Sequence, residues 1–217
     1  MNSRTITVVF CSLLLSGCQL LNTQSNPVTS ERLQGQLRQI DNDWQLTPCN
    51  SDTALQVEFS AQWTEALQQC TQEQSPSCFA DLEVEPGPTP APATHVHRIQ
   101  IEGHSCNDAE FAHLHIRASG NEPFWNIRLN DQGLVLQQPG QPTLALPYIQ
   151  EQLGNGLQYI SSQVDHQTLQ LWISEQPCTD SMSGAWHALS ARLDWQGQTL
   201  HGCAYYGAQH SLNPTNK

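Results

Sequence analysis

From residue 111 to residue 207 the chain alternates apolar and polar residues in one short run after another, and that period of two restricts it to β structure. Ala112, Leu114, Ile116 and Ala118 share one face, opposite His113, His115 and Arg117. Trp125, Ile127 and Leu129 repeat the pattern, as do Leu169, Leu171 and Ile173, and then Leu189, Ala191, Leu193 and Trp195. Asn130-Asp131-Gln132-Gly133 and Gln196-Gly197 mark hairpin turns. Roughly eight such strands predict an antiparallel β-barrel or sandwich over 111–207, with 208–217 as a flexible tail.

The first half is β-rich in a different order. Leu33 to Ile40 and Trp44 to Leu46 alternate around an Asp41-Asn42-Asp43 turn, and Leu55 to Phe59 reads as a third strand. Ser60 is placed to cap a helix carrying Trp63, Ala66 and Leu67 on one face. Phe79 to Val84 and His95 to Ile101 read as two more strands, separated by a stiff, exposed insertion, PGPTPAPA, at 86–93. Three strands, a helix and two strands make the order of an OB-like barrel, here over 31–106, with the join to the second unit near Asn107 to Glu110.

Gly35-x-Leu37, Trp44-Gln-Leu-Thr-Pro-Cys49 and Ile101-Glu-Gly103 look like the OB domain of the copper-homeostasis and adhesion-sensing outer-membrane lipoproteins. Those relatives carry a Cys-x-x-Cys in another domain, and this chain has none. Nucleic acid is not an expected partner. The net charge is −12, and no basic groove with stacking aromatics accompanies the OB-like order.

At the start, Arg4 precedes an apolar run from Ile6 to Leu15 that is too short to span a bilayer, the layout of a secretory signal peptide. Leu15-Ser16-Gly17-Cys18 resembles the lipobox of bacterial lipoproteins. The resemblance implies that 1–17 are removed, that Cys18 is acylated, and that 18–30 form a flexible stalk on a membrane anchor. Gln19 after that cysteine implies sorting to the outer membrane, periplasmic side. Losing Arg4 would take the charge from −12 to −13.

Six further cysteines fit an exported chain with three disulfides. Neighbourhood in sequence favours Cys49–Cys106, Cys70–Cys78 and Cys178–Cys203, although six cysteines allow fifteen pairings. Metal ligation is the rival use, and the short spacing of a zinc site is absent. The metal candidates are instead His95 and His97, two apart on one strand, with His104 nearby. No cofactor is expected.

Two segments stand out for density of special residues. One is Gly120-Asn121-Glu122-Pro123-Phe124-Trp125, and the other is Cys178-Thr-Asp180-Ser-Met182-Ser183-Gly184, followed by Gly202-Cys203-Ala204. As a catalytic set they would offer Glu122 and Asp180 as paired carboxylates, His187 or His201 as base, and Ser181 or Ser183 as nucleophile. No nucleophile elbow or metalloprotease helix accompanies them. As structure they explain more residues at once: a turn, a core tryptophan, a bridged loop ordered by Asp180, Ser181 and Ser183 bonding to nearby backbone groups, and Glu122 as a carboxylate fixed by backbone N–H groups. We therefore expect a structural clasp and no catalytic residues, and Glu122 is the carboxylate most in need of a partner.

These motifs, in this order, resemble a family of little-characterised bacterial envelope lipoproteins, and more loosely the β domains of heat-inducible META-type lipoproteins. His187 after Trp186 departs from the Tyr-Pro pair of that pattern. The expectation is a non-catalytic envelope lipoprotein with a binding, maintenance or stress-related role and an envelope protein as partner. The alternatives are a copper- or zinc-binding lipoprotein and an inhibitor of a lysozyme-like hydrolase, whose basic surface an acidic chain would suit.

Overall fold

The computed structural model describes residues 30–71, 77–103, 105–154, 157–164 and 167–208. The leader, Cys18, the stalk to residue 29, His104 and the tail from 209 lie outside them.

Strand β1 (Glu31–Ile40) turns through Asp41 and Asn42 into β2 (Asp43–Pro48). Both turn residues have positive φ, 51° and 74°, which Asp and Asn tolerate better than other side chains. Strand β3 (Leu55–Glu58) pairs with β2, and β4 (Cys78–Val84) pairs with the other edge of β1. Strand β5 (Ala91–Gln100) joins β4 antiparallel and β3 parallel, so five strands close a ring in the order β1-β2-β3-β5-β4. That is the OB-like barrel. Its core holds Leu37, Leu46, Val57, Leu67, Leu82, Val96 and Ile99.

Three local features differ from the sequence expectation. The helix shrinks to α1 (Thr64–Leu67), flanked by 3-10 turns at Ala61–Trp63 and Gln68–Thr71, and Ser60 makes no side-chain cap. The Pro-rich stretch is exposed only to residue 90; Ala91 and Ala93 are buried because β5 must reach back to pair with Val57 and Glu58. Finally, β5 carries register shifts opposite Asp81/Leu82 and Glu83/Val84. A bulge adds a residue and re-aims side chains. Thus His97 does not share a face with Ile99.

The second unit opens with α2 (Ala109–His113), where a strand was expected. Asp108 Oδ1 accepts from the N–H groups of Glu110 and Phe111, so the anticipated join is a capped helical turn. Then follow β6 (Ile116–Asn121), β7 (Phe124–Asn130), β8 (Gly133–Gln137), β9 (Leu144–Leu146) and β10 (Ile149–Gln152). Strands β11 (Gln158–Val164) and β12 (Gln167–Ser174) continue the series. Two short strands come next, β13 (Cys178–Thr179) and β14 (Trp186–His187), before β15 (Leu189–Trp195) and β16 (Gln198–Tyr206).

Nine of these strands form one antiparallel sheet, in the order β10-β11-β12-β15-β16-β6-β7-β8-β9. The end strands β9 and β10 are joined by Pro147 and Tyr148 alone, so the sheet has to curl, although its two edge strands are not paired with each other. The inner face packs Trp125, Ile127, Leu129, Leu136, Ile160, Leu171, Ile173 and Leu193 into a second core.

The other two strands cross over. Strand β14 pairs with β5 through Trp186–Ile99 and His187–Arg98, and Ala188 N–H donates to His97 O at 2.9 Å. Trp186 enters the first core, edge-on to Trp63 with ring centroids 5.8 Å apart. The first barrel therefore takes a strand and a core side chain from residues beyond 111.

Candidate functional site

The two special segments meet. Gly120 on β6 lies beside Gly202 on β16; a Cβ on Gly202 would stand 1.9 Å from Ser119 O, and one on Gly120 would stand 2.2 Å from His201 O and 2.4 Å from Trp125 Nε1. Only glycines let these strands and the fully buried Trp125 approach so closely. Next to them, Asn121 Nδ2 donates to Asp180 Oδ2 and to Ser181 Oγ, each at 3.1 Å. Asp180 Oδ1 accepts from Met182 N–H (3.0 Å), Ser183 N–H (2.8 Å) and the Ser183 hydroxyl (2.9 Å). The Cys178–Cys203 disulfide ties β13 to β16. The other two disulfides are Cys49–Cys106 and Cys70–Cys78, so all three pairs are those that neighbourhood favours.

The held carboxylate is Asp180, not Glu122. Partial burial alone would raise the Asp180 pKa, but bonds from Ser183, Asn121 and Met182 outweigh it and hold the carboxyl below its usual range. Glu122, Pro123 and Phe124 are exposed at the hairpin tip, with Met182 79% exposed on the adjoining loop. Ser181 and Ser183 bond to Asn121 and Asp180, while His201 is exposed on β16 and His187 is buried on β14.

A second cluster fills the seam between the two units. Arg32 grips Asp81 with two bonds, Nε to Oδ1 at 2.8 Å and Nη2 to Oδ2 at 2.5 Å, and Gln34 adds a third at 2.8 Å. Arg32 also donates to the carbonyls of Tyr206 and Gly207, joining β1 to the end of β16. Asp81 is almost fully buried, so removing its partner would leave a costly unpaired charge. Arg98 is fully buried, its guanidinium 4.0 Å from the Tyr205 ring centre, 4.4 Å from Phe79 and 4.8 Å from Phe111. None of its nitrogens makes a hydrogen bond of normal geometry among the described residues. Three ring faces share the stabilisation of this buried cation with the Tyr205 hydroxyl and the nearby Asp81 charge.

His187, the cross-strand partner of Arg98, stacks on Tyr205 with ring centres 5.5 Å apart and planes inclined by 12°. Burial, with the Arg98 charge close by, lowers its pKa from 6.5 to about 3. A histidine kept neutral in the fold stabilises fully above its unfolded pKa of 6.5, and that contribution is lost as pH falls from 6.5 towards 3. At pH 5 the loss from this residue is about 2 kcal/mol. His187→Phe, which keeps the stack, is expected to flatten urea stability between pH 7 and pH 5 by that amount; an unchanged slope would refute the assignment.

The histidine candidates divide. His95 is exposed and His97 buried, with ring centres 4.5 Å apart, and His97 Nε2 lies 3.0 Å from Glu83 Oε1. Burial lowers the His97 pKa against the pull of Asp81. Among the described residues no three His, Cys, Asp or Glu side chains are arranged to hold a metal ion, and His104 lies outside them. The sequence gives little warning of the seam. Its one signal is Arg98, an arginine inside a strand whose neighbours on both sides are apolar or aromatic.

No protein-family model matches this chain, and neither a curated protein nor a solved structure matches it.

Proposed function

We propose that this chain is a non-catalytic, lipid-anchored binding module of the bacterial envelope, and that its recognition surface is the tip of the clasp. One observation carries the reading. Phe124, 43% exposed, and Met182, 79% exposed, stand on backbone fixed by the Asp180 network and the Cys178–Cys203 bridge. Large apolar side chains on a preorganised tip lose little entropy on docking. The anchor rests on Cys18 and its lipobox, which would hold the chain within reach of an envelope protein on the periplasmic side. A maintenance or stress-related role follows from the resemblance to envelope lipoproteins.

A photo-crosslinking residue at position 124 in living cells is expected to give one discrete adduct that Met182→Asp abolishes. The same adducts from position 131, at the exposed turn that closes the opposite end of β7, would sink the reading. A second reading, inhibition of a lysozyme-like hydrolase, is favoured by the exposed Glu122 carboxylate at that apolar tip and by the charge of −12. It requires the mature chain to slow purified lysozyme stoichiometrically and Glu122→Gln to relieve the inhibition.

A further inference from the structure

We infer that the outer face of the nine-stranded sheet, around Trp172 and Gln170, binds an uncharged oligosaccharide. Strand β12 buries Leu169, Leu171 and Ile173 inward, so Thr168, Gln170 and Trp172 point outward. The core does not demand an indole there. Across the sheet, Tyr159, Trp172 and Arg192 are directly opposite one another on β11, β12 and β15. The Tyr159 and Trp172 ring centres are 4.4 Å apart, and the Arg192 guanidinium lies 5.1 Å from the Trp172 ring.

One row along, Gln170, Asp194 and Thr199 are aligned in the same way, beside an open cleft of about 330 Å³ bounded by Thr168 and the Gln196 to Thr199 turn. The polar groups are already fixed. Gln170 Nε2 donates to the Tyr159 hydroxyl at 2.9 Å, Thr199 Oγ1 donates to Asp194 Oδ1 at 2.8 Å, and Arg192 Nη2 lies 3.2 Å from Asp194 Oδ2.

The chemistry of this surface selects its ligand. The Asp194 carboxylate is offset by the Arg192 guanidinium beside it, and Glu151, opposite Tyr159 on β10, adds one more carboxylate, so an anion is disfavoured and a cation finds no chelating set among the described residues. Amide, hydroxyl and carboxylate groups next to aromatic rings suit a molecule with polar edges and C–H faces, which is a pyranose chain. Pairing among the side chains lowers the entropy lost when a sugar docks. A structural cross-strand ladder alone would account for the stacking of the rings. It would not account for a preformed polar cleft alongside them.

Calorimetry on the mature chain with tetramers of N-acetylglucosamine and of glucose decides the matter, and the preferred tetramer tells wall glycan from neutral glucan. Saturable binding is expected, weakened about tenfold, or 1.4 kcal/mol, by Trp172→Ala and by Gln170→Ala. Gln170→Ala should unfold at the wild-type temperature, which separates lost recognition from lost structure. No saturation with either tetramer, or wild-type affinity in either variant, overturns the inference. Crosslinking from position 124 is independent of either result, so this site and the clasp tip stand or fall separately.

Discussion

Trp186→Ala is expected to destabilise the whole molecule by about 3–5 kcal/mol, the range for truncating a buried aromatic side chain. Trp186 is 9% exposed, belongs to the first core and lies edge-on to Trp63, yet it is carried by a strand that comes after β12 in the chain. The loss should therefore be read out in both units. Urea unfolding followed by the near-ultraviolet signal and by hydrogen exchange at Leu37 in the first core and Leu171 in the second is the measurement. If the variant loses less than about 1 kcal/mol, the crossover does not hold the barrel. A fragment of 31–106, lacking β14, should likewise fail to give a cooperative transition.

Removing the disulfides is expected to cost stability in the order of the loops they close. The separations are 57 residues for Cys49–Cys106, 25 for Cys178–Cys203 and 8 for Cys70–Cys78. Loop-closure entropy then gives losses of about 4, 3.5 and 2.5 kcal/mol for the paired Cys→Ser variants. The middle one should also raise hydrogen exchange at Met182 and Ser183, because β13 is released from β16. An inverted order in chemical denaturation, with the 8-residue loop costing most, would contradict the entropic account.

How legible the fold was depended on where each strand finds its partner. Runs such as Trp125 to Leu129 and Leu189 to Trp195 bury one whole face in their own sheet, so their period of two stands out. Strands β13 and β14 have two residues each and pair partly with the other unit, so no local pattern marks them. Helix α2 was hidden for a related reason. Five residues are too few to display a helical period, and Ala112 and Leu114 fell in step with the strand after them. The bulges in β5 upset the other side of the count, by setting His97 apart from Ile99.

At the site, the sequence pointed to both halves of the clasp and to Asp180 as a group that orders its loop, but it also led us to expect a held carboxylate at Glu122. Glu122 drew attention because it sits among Gly, Pro and aromatic residues. Asp180 took the role because its loop turns three donors back onto one oxygen. Arg98 and the Tyr159–Trp172 ladder were invisible as groups, since each is assembled only by register between strands far apart in sequence.

The crossover of β14 has a consequence for the order of events at the ribosome. A chain is made from its N-terminus, and an autonomous first unit could close while the second is still being synthesised. Here residues 31–100 emerge with two short strands of their sheet, β13 and β14, and one core indole still to come. All of these arrive only after β6 to β12 have been made. The first unit must therefore wait unfinished for its own completion, and the two halves mature as a single cooperative event.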